Sequence, residues 1–285
     1  MSSIASEFHV LHQERLRSFI FPREHGAWGI LLVPLVTAAW IGFAPGRRIL
    51  PLIYFVAASL ALFCLCTPLE IWLNSSPLRA QTPTERHAVV SSIFAYAAVA
   101  VIALVFLLGH EHAYGLLILG AVIGALFIAQ ALLKKLGRQT RMTAQLIGSL
   151  GLTSTAAGAY YVVTGQFDSK ALLLWGANWL FAANQIQFVQ LRIHSARAGG
   201  LAEKVARGKS FLAAQLLTVL LLAAAWRVGG LPGAAALAFA PALIRGFWWF
   251  LRRPAPLEIY RLGYGELANA LAFGVLFILG FQVHF

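Results

Sequence analysis

Nine apolar stretches run the length of this sequence, each close to the ~20 residues that carry a helix across ~30 Å of hydrocarbon. They lie near residues 27–44, 50–69, 89–109, 114–133, 143–163, 171–191, 210–226, 229–247 and 264–283. Inside a bilayer a chain satisfies its own backbone only as a helix or a closed barrel, and stretches of this length read as helices. The expected fold class is all-α: a polytopic integral membrane protein with nine transmembrane helices. No connection is long enough for a separate folded domain, so residues 1–285 form a single membrane domain. With 60 % hydrophobic and 11 % charged residues, the chain is not a soluble domain.

The basic residues give the direction of the spans. If the N-terminus is cytoplasmic, the inner segments hold Arg15, Arg17, Arg23, Arg79, Arg86, Lys134, Lys135, Arg138, Arg141, Arg192, Arg197, Lys204, Arg207, Lys209, Arg245, Arg252, Arg253 and Arg261. The outer segments hold Arg47, Arg48, Lys170 and Arg227, a division of 18 to 4 among the 22 basic residues. Basic residues resist translocation, so the N-terminus is expected inside and the C-terminus outside. The formal net charge of +12 then follows from topology and an anionic inner leaflet, and no nucleic-acid partner is expected.

Residues 1–22 read as a cytoplasmic interfacial leader and not as a cleaved signal. Ile4, Phe8, Val10, Leu11, Leu16, Phe19 and Phe21 alternate with Glu14, Arg15 and Arg17, as in an amphipathic helix lying on the membrane surface. A poorly ordered leader is the other reading. Cys64 and Cys66 point in different directions on one helix, so neither a disulfide nor a chelate is expected. Trp28, Trp40, Trp72, Trp175, Trp179, Trp226, Trp248 and Trp249 read as membrane-edge markers. The fifth stretch is rich in small residues (Gly148, Ser149, Gly151, Ser154, Ala156, Ala157, Gly158) and is expected at the centre of the bundle; a kinked helix is the alternative.

Polar groups at membrane depth are expensive and mark candidate sites. The inner ends of five spans supply them. Arg23, Glu24 and His25 lead into span one; Glu70 and Asn74 end span two, with Arg79 beyond; Arg141 and Gln145 open span five. Span six carries Asn184, Gln187 and His194 on one arc with Arg192 at its mouth, and Glu266 and Asn269 begin span nine. Taken together they predict a polar cavity open to the cytoplasm. Taken singly, each reads as a snorkelling or paired interfacial residue. His110-Glu111-His112 reads as a solvated turn, and neither a phosphate-cradling nor a dinucleotide-binding glycine pattern occurs.

The runs Pro22-Arg23-Glu24-His25-Gly26-Ala27-Trp28-Gly29, Asn184-Gln185-Ile186-Gln187-Phe188-Val189-Gln190-Leu191-Arg192-Ile193 and Arg261-Leu262-Gly263-Tyr264-Gly265-Glu266 resemble the bacterial YwiC-like membrane family. That resemblance implies the bacterial cytoplasmic membrane and little chemistry. More distantly, nine helices with long inner connections after the second and sixth resemble the UbiA-type intramembrane prenyltransferases. That resemblance implies a UbiA-like bundle and an isoprenoid or lipid-like ligand.

The UbiA enzymes hold Mg²⁺ on two aspartate-rich motifs, and this chain departs there. Its first motif region offers Glu70, Asn74 and Glu85; its second offers Asn184, Gln187, Gln190 and Arg192; its one aspartate, Asp168, is expected outside. Magnesium requires clustered hard oxygen ligands, so no metal site and no cofactor are expected. Arginines would instead hold an anionic substrate. The resulting expectation is a divergent transferase with Glu24, His25 and Glu70 in catalytic roles. Arg23, Asn74, Arg79, Arg141, Asn184, Gln187, Arg192, Glu266 and Asn269 would bind substrate. A non-catalytic lipid-binding or assembly protein is the alternative, and a permease ranks below both.

Overall fold

The computed structural model describes residues 15–22, 25–44, 49–73, 76, 78–195, 200–252 and 258–283, with His25 and Arg138 described by their backbone alone. Residues 15–20 form α1. There follow α2 (His25–Gly42), α3 (Leu50–Trp72), α4 (Pro83–Gly109), α5 (Gly115–Lys135), α6 (Arg141–Thr153), α7 (Thr155–Thr164), α8 (Ser169–His194), α9 (Leu201–Arg227), α10 (Gly233–Ala236), α11 (Ala240–Leu251) and α12 (Ile259–Gln282). The described residues contain no strand.

Each of the nine apolar stretches coincides with helix, and seven segments are long and apolar enough to cross a membrane: α3, α4, α5, the α6–α7 pair, α9, the stretch from α10 to α11, and α12. The other two fall short for different reasons. The apolar part of α2, Gly26–Gly42, is too short. The 26-residue α8 is long enough, but Asn178, Asn184, Gln185, Gln187, Gln190 and Arg192 lower its hydropathy.

The described residues divide into two compact units. The first comprises the described residues within 1–25 and 48–114. Its α3 and α4 pack side by side, with Tyr54 stacked on Phe106 at 3.9 Å between ring centres. The start of α4 is fixed locally. Thr82 caps the helix by accepting from the Glu85 N–H, and the Glu85 carboxylate accepts from the N–H groups of Thr82 and Gln81 at 3.1 and 2.7 Å. This reciprocal arrangement satisfies donors that a helix start otherwise leaves open, and it extends α4 six residues ahead of the apolar run that begins at Val89.

Glu85 also pairs with Arg15 Nε at 2.7 Å, while Phe19 packs into a buried cluster with Ile71 and Val89. Of the expected leader helix, residues 15–20 are therefore helical and seated on α3 and α4 by one ion pair and one buried ring. Residues 1–14 lie outside the described residues. Cys64 and Cys66 are not joined in a disulfide, and the Cys66 thiol donates to the Leu62 carbonyl at 3.3 Å.

The second unit comprises the described residues within 26–47 and 115–285, and α8 is its best-buried long helix. Ala171, Leu174, Ala177, Phe181, Ala182, Ala183 and Phe188 are all buried, against α6, α7, α9 and α11. The polar α8 is stable because it is enclosed by protein. Its N-terminus is capped by the single aspartate, Asp168, which accepts from the Ala171 N–H at 3.0 Å. Phe181 stacks on Phe273 of α12 at 3.9 Å, and Phe239 meets Phe273 edge-on at 5.0 Å.

The fifth span is central in its unit, as its small residues predict: 61 % of its apolar window is buried, against 39 % or less in the other six. It is also broken, between α6 and α7 at Ser154. Thr153, Ser154 and Thr155 turn their hydroxyls back onto the carbonyls of Ser149, Gly151 and Leu152, and Thr155 also donates to Leu31 of α2 at 3.0 Å. Such back-bonding loosens a helix. The Ser154 N–H turns to the Gly151 carbonyl, and the Leu150 carbonyl accepts instead from the Trp175 indole at 2.9 Å. Trp179 donates in the same way to Leu146 at 3.1 Å.

Trp175 and Trp179 are thus half-buried braces of the broken helix. We expect Trp175→Phe to keep the packing but leave the Leu150 carbonyl with only the Thr153 hydroxyl, at 3.2 Å. The loss should be about 1 kcal/mol, that of one hydrogen bond, read as a lowered thermal midpoint in detergent. A midpoint equal to that of the unaltered protein would show that the indole bond does not support the break.

Candidate functional site

The polar residues of the second unit converge where α8, α9, α11 and α12 meet. Lys204, near the start of α9, is almost fully buried. Its ammonium donates to the carbonyl of Trp249 at 3.1 Å and to that of Arg252, and lies 5.0 Å from the Trp249 ring centre. It caps the C-terminus of α11, where open carbonyls and the helix dipole favour a cation. This bond brings the start of α9 and the end of α11 together at one end of the unit.

Deeper from that end sits an ion pair. Arg245 of α11 is bonded to Glu266 of α12, with side chains only 19 % and 14 % exposed. By the 1.5 Å rise per residue, each lies about 10 Å from the end of its helix. The Arg245 guanidinium rests 4.1 Å from the ring centre of Phe188 on α8, and Gln185, also on α8, donates to the Glu266 backbone carbonyl at 2.8 Å. The ring face stabilises a desolvated guanidinium by about 1–2 kcal/mol.

A pair of amides lies deeper still. Asn184, 5 % exposed, donates to Gln215 of α9, which is fully buried, at 2.7 Å. Gln215 fits because residue 246 is glycine: a β-carbon there would collide with the Gln215 amide nitrogen. Both pairs form one locus, since Asn184 adjoins Gln185 and Arg245 adjoins Gly246.

The locus keeps hydrogen-bonding capacity that the protein does not use. Among the described residues, the buried polar atoms with no partner are Asn184 Oδ1, Gln215 Nε2, Arg245 Nε and Nη2, Glu266 Oε2 and Ser195 Oγ. Five of the six belong to these four residues. Buried polar groups are ordinarily paired, and an open donor or acceptor in an apolar interior is destabilising by about 1–3 kcal/mol. Arg192 near the end of α8, with Lys204 and Arg252, leaves this end of the unit positively charged around the neutral Arg245–Glu266 pair.

The predicted site residues are distributed as follows. Asn184 and Glu266 are at the locus, and Arg192 lies half-buried two turns along α8 from Asn184. Gln187 is half-buried, and the Asn269 amide donates to the Gly265 carbonyl of its own helix at 2.8 Å. Arg141 is exposed at the first turn of α6. Glu70, half-buried in the last turn of α3, and the exposed Arg79 belong to the first unit. Arg23, Glu24, Asn74 and the side chain of His25 lie outside the described residues.

Sequence reading missed Gln185, Gln215 and Arg245. A lone amide in an otherwise apolar span seven, and a lone arginine in span eight facing a lone glutamate in span nine, were the available signals. Among the described residues no three His, Cys, Asp or Glu side chains gather in a way that could hold a metal ion.

Comparison with known proteins assigns part of the chain. Residues 21–160 match the family model described as YwiC-like protein. The YwiC-like match covers just under half of the 285 residues. It includes the run Pro22–Gly29 and stops before Asn184, Gln215, Arg245 and Glu266. No curated protein and no solved structure matches the chain. The architecture is that of a helical protein of membrane type.

Proposed function

We propose that this chain is a nine-span protein of the bacterial cytoplasmic membrane, α2 and α8 included, with its N-terminus inside. Its second unit takes the polar head of a lipid-like or isoprenoid ligand from the cytoplasmic side. One observation carries the reading: the Arg245–Glu266 pair and the Asn184–Gln215 pair lie between apolar helices with open donors and acceptors. A purely structural ion pair would have its remaining valences filled. The positive charge around the locus favours an anionic head, held by arginine without Mg²⁺.

The residues at the locus suit binding better than turnover. Glu266 is held by Arg245, and amides are poor proton carriers, so a non-catalytic lipid-binding role follows most directly. A divergent transferase on a UbiA-like bundle, with Glu24, His25 and Glu70 as its reactive groups, is the enzymatic alternative, and it does not draw on this locus. A permease is favoured by a different observation. Spans five and eight are both interrupted, at Ser154 and at the 3₁₀ turn Leu237–Phe239, and transporters use interrupted helices at their binding sites.

Two experiments test the proposal. Lipid extraction from protein purified in mild detergent, with and without EDTA, should recover one anionic lipid-like species from the unaltered chain in both conditions. An Asn184→Leu/Gln215→Met chain should lose it. Equal recovery from both chains would remove the ligand from this locus. Reporters fused after Ile71 should read as cytoplasmic, and at Phe285 as external; a cytoplasmic reading at Phe285 would refute nine spans. For the permease, Gly151→Cys in a chain with Cys64 and Cys66 replaced by Ala should label from both membrane faces, whereas a one-sided site labels from one.

A further inference from the structure

The open atoms at the locus differ in kind, and the difference selects the ligand. Arg245 Nε and Nη2 and Gln215 Nε2 are donors, which an anionic oxygen satisfies. Asn184 Oδ1 and Glu266 Oε2 are acceptors, which no anionic oxygen satisfies. A sulfate or a bare phosphodiester, neither of which carries a proton near neutral pH, would fill the first set and set its own charge against Glu266. A complete fit needs a head that brings an oxyanion and at least one donor of its own.

Two donor chemistries compete for that role, ammonium and hydroxyl. The surroundings decide between them. Arg192, Lys204 and Arg252 already place positive charge at this end of the unit, and a further ammonium would be repelled in a medium of low dielectric. A hydroxyl donates to Asn184 Oδ1 or Glu266 Oε2 without adding charge. The locus lies about 10–20 Å from the ends of its helices, a depth that a head reaches more readily when its acyl chains stay among the exposed apolar faces of the helices.

We propose that the Arg245–Glu266–Asn184–Gln215 locus selects a phosphodiester lipid whose head carries free hydroxyl groups, the arginine and glutamine donors taking the phosphate and the asparagine and glutamate oxygens taking the hydroxyls. This selectivity rests on the lipid-binding function proposed above. Asn184 and Glu266 are then specificity-determining residues, and Arg245 supplies affinity for any phosphodiester.

The test compares two probes of equal charge on the full chain in nanodiscs of uncharged phosphatidylcholine. One is phosphatidylglycerol, with two hydroxyls on its head; the other is phosphatidylethanol, with none. Bound lipid is counted by native mass spectrometry across a titration. Phosphatidylglycerol should bind at least about tenfold more tightly, since each unmet acceptor forfeits about one decade of affinity. That ratio should fall toward one in Asn184→Leu and in Glu266→Gln, and the unaltered chain alone decides the matter if either variant fails to fold.

Equal binding of the two lipids to the unaltered chain would overturn the hydroxyl selectivity and leave the lipid-binding function standing. Binding of neither would overturn both. Glycerol 3-phosphate added in millimolar excess should leave the bound lipid in place. Its displacement of the lipid would assign the site to a soluble phosphate and overturn the lipid.

Discussion

Replacing Arg245 with methionine should destabilise the protein by about 3–5 kcal/mol, because it leaves the Glu266 carboxylate enclosed without its partner. Methionine retains most of the side chain's length and still covers the Phe188 ring, so the loss is mainly electrostatic. Replacing both partners, Arg245→Met with Glu266→Leu, should recover most of the stability, since apolar residues of similar volume suit an interior that desolvates charge. The double variant should nonetheless lose its bound lipid. Thermal unfolding in detergent, followed on the three chains, gives the first two results, and lipid extraction gives the third. A double variant as unstable as the single one would mean that the ion pair is needed for folding, and would weaken its assignment to a ligand.

Gly280→Val is expected to be about as damaging, at roughly 3 kcal/mol or more, for a steric reason. A β-carbon at Gly280 would lie 2.5 Å from the Ala235 Cα and overlap its backbone nitrogen. Backbone cannot swing aside as a side chain can, so α10 would have to part from α12, and with it the Phe239–Phe273–Phe277 ring stack that joins the 3₁₀ turn to α12. Gly124 is the control. Nothing lies within 4 Å of a β-carbon there, and Gly124→Ala should be neutral or slightly stabilising through helix propensity. Yield of monodisperse protein after extraction, with thermal midpoints, separates the two. A well-folded Gly280→Val chain would show that α10 and α12 are not in backbone contact.

The helices were legible in the sequence because a bilayer leaves a chain little choice. Apolar runs of the right length each fall on helix, seven of them long and apolar enough to cross a membrane, and small residues placed the fifth run at the heart of its unit. Helix ends were less legible. The Thr82–Glu85 cap carries α4 beyond its apolar run, and Lys204 lies on the helical extension of α9 ahead of residue 210. These extensions are set by capping and interhelical bonds that hydropathy does not register. A kinked fifth stretch was the alternative reading, but hydropathy could not place the break. It is located by the hydroxyls of Thr153, Ser154 and Thr155 turned back along the helix, by the Thr155 bond to Leu31, and by the Trp175 indole on the Leu150 carbonyl.

The candidate site was half legible. Asn184, Arg192 and Glu266 stood out as polar residues within or at the mouth of spans. The arc drawn along span six by helical spacing ran through Asn184, Gln187 and His194. The face that meets α9, α11 and α12 instead runs through Asn184, Gln185 and Phe188. Spacing names the candidates on a helix, but the neighbours decide which face is used. Gln215 and Arg245 were passed over because each is a single polar residue in its span, and their meaning lies in partners more than 20 residues away.

The central claim is that the locus between α8, α9, α11 and α12 is a ligand site. An experimental density map of the full chain in lipid nanodiscs tests it most directly. The predicted result is non-protein density that touches Arg245 Nη2 and Glu266 Oε2 and continues outward among the apolar helices as an acyl or isoprenoid chain. A map in which Arg245, Glu266, Asn184 and Gln215 satisfy one another completely, with no density between them, would contradict the account.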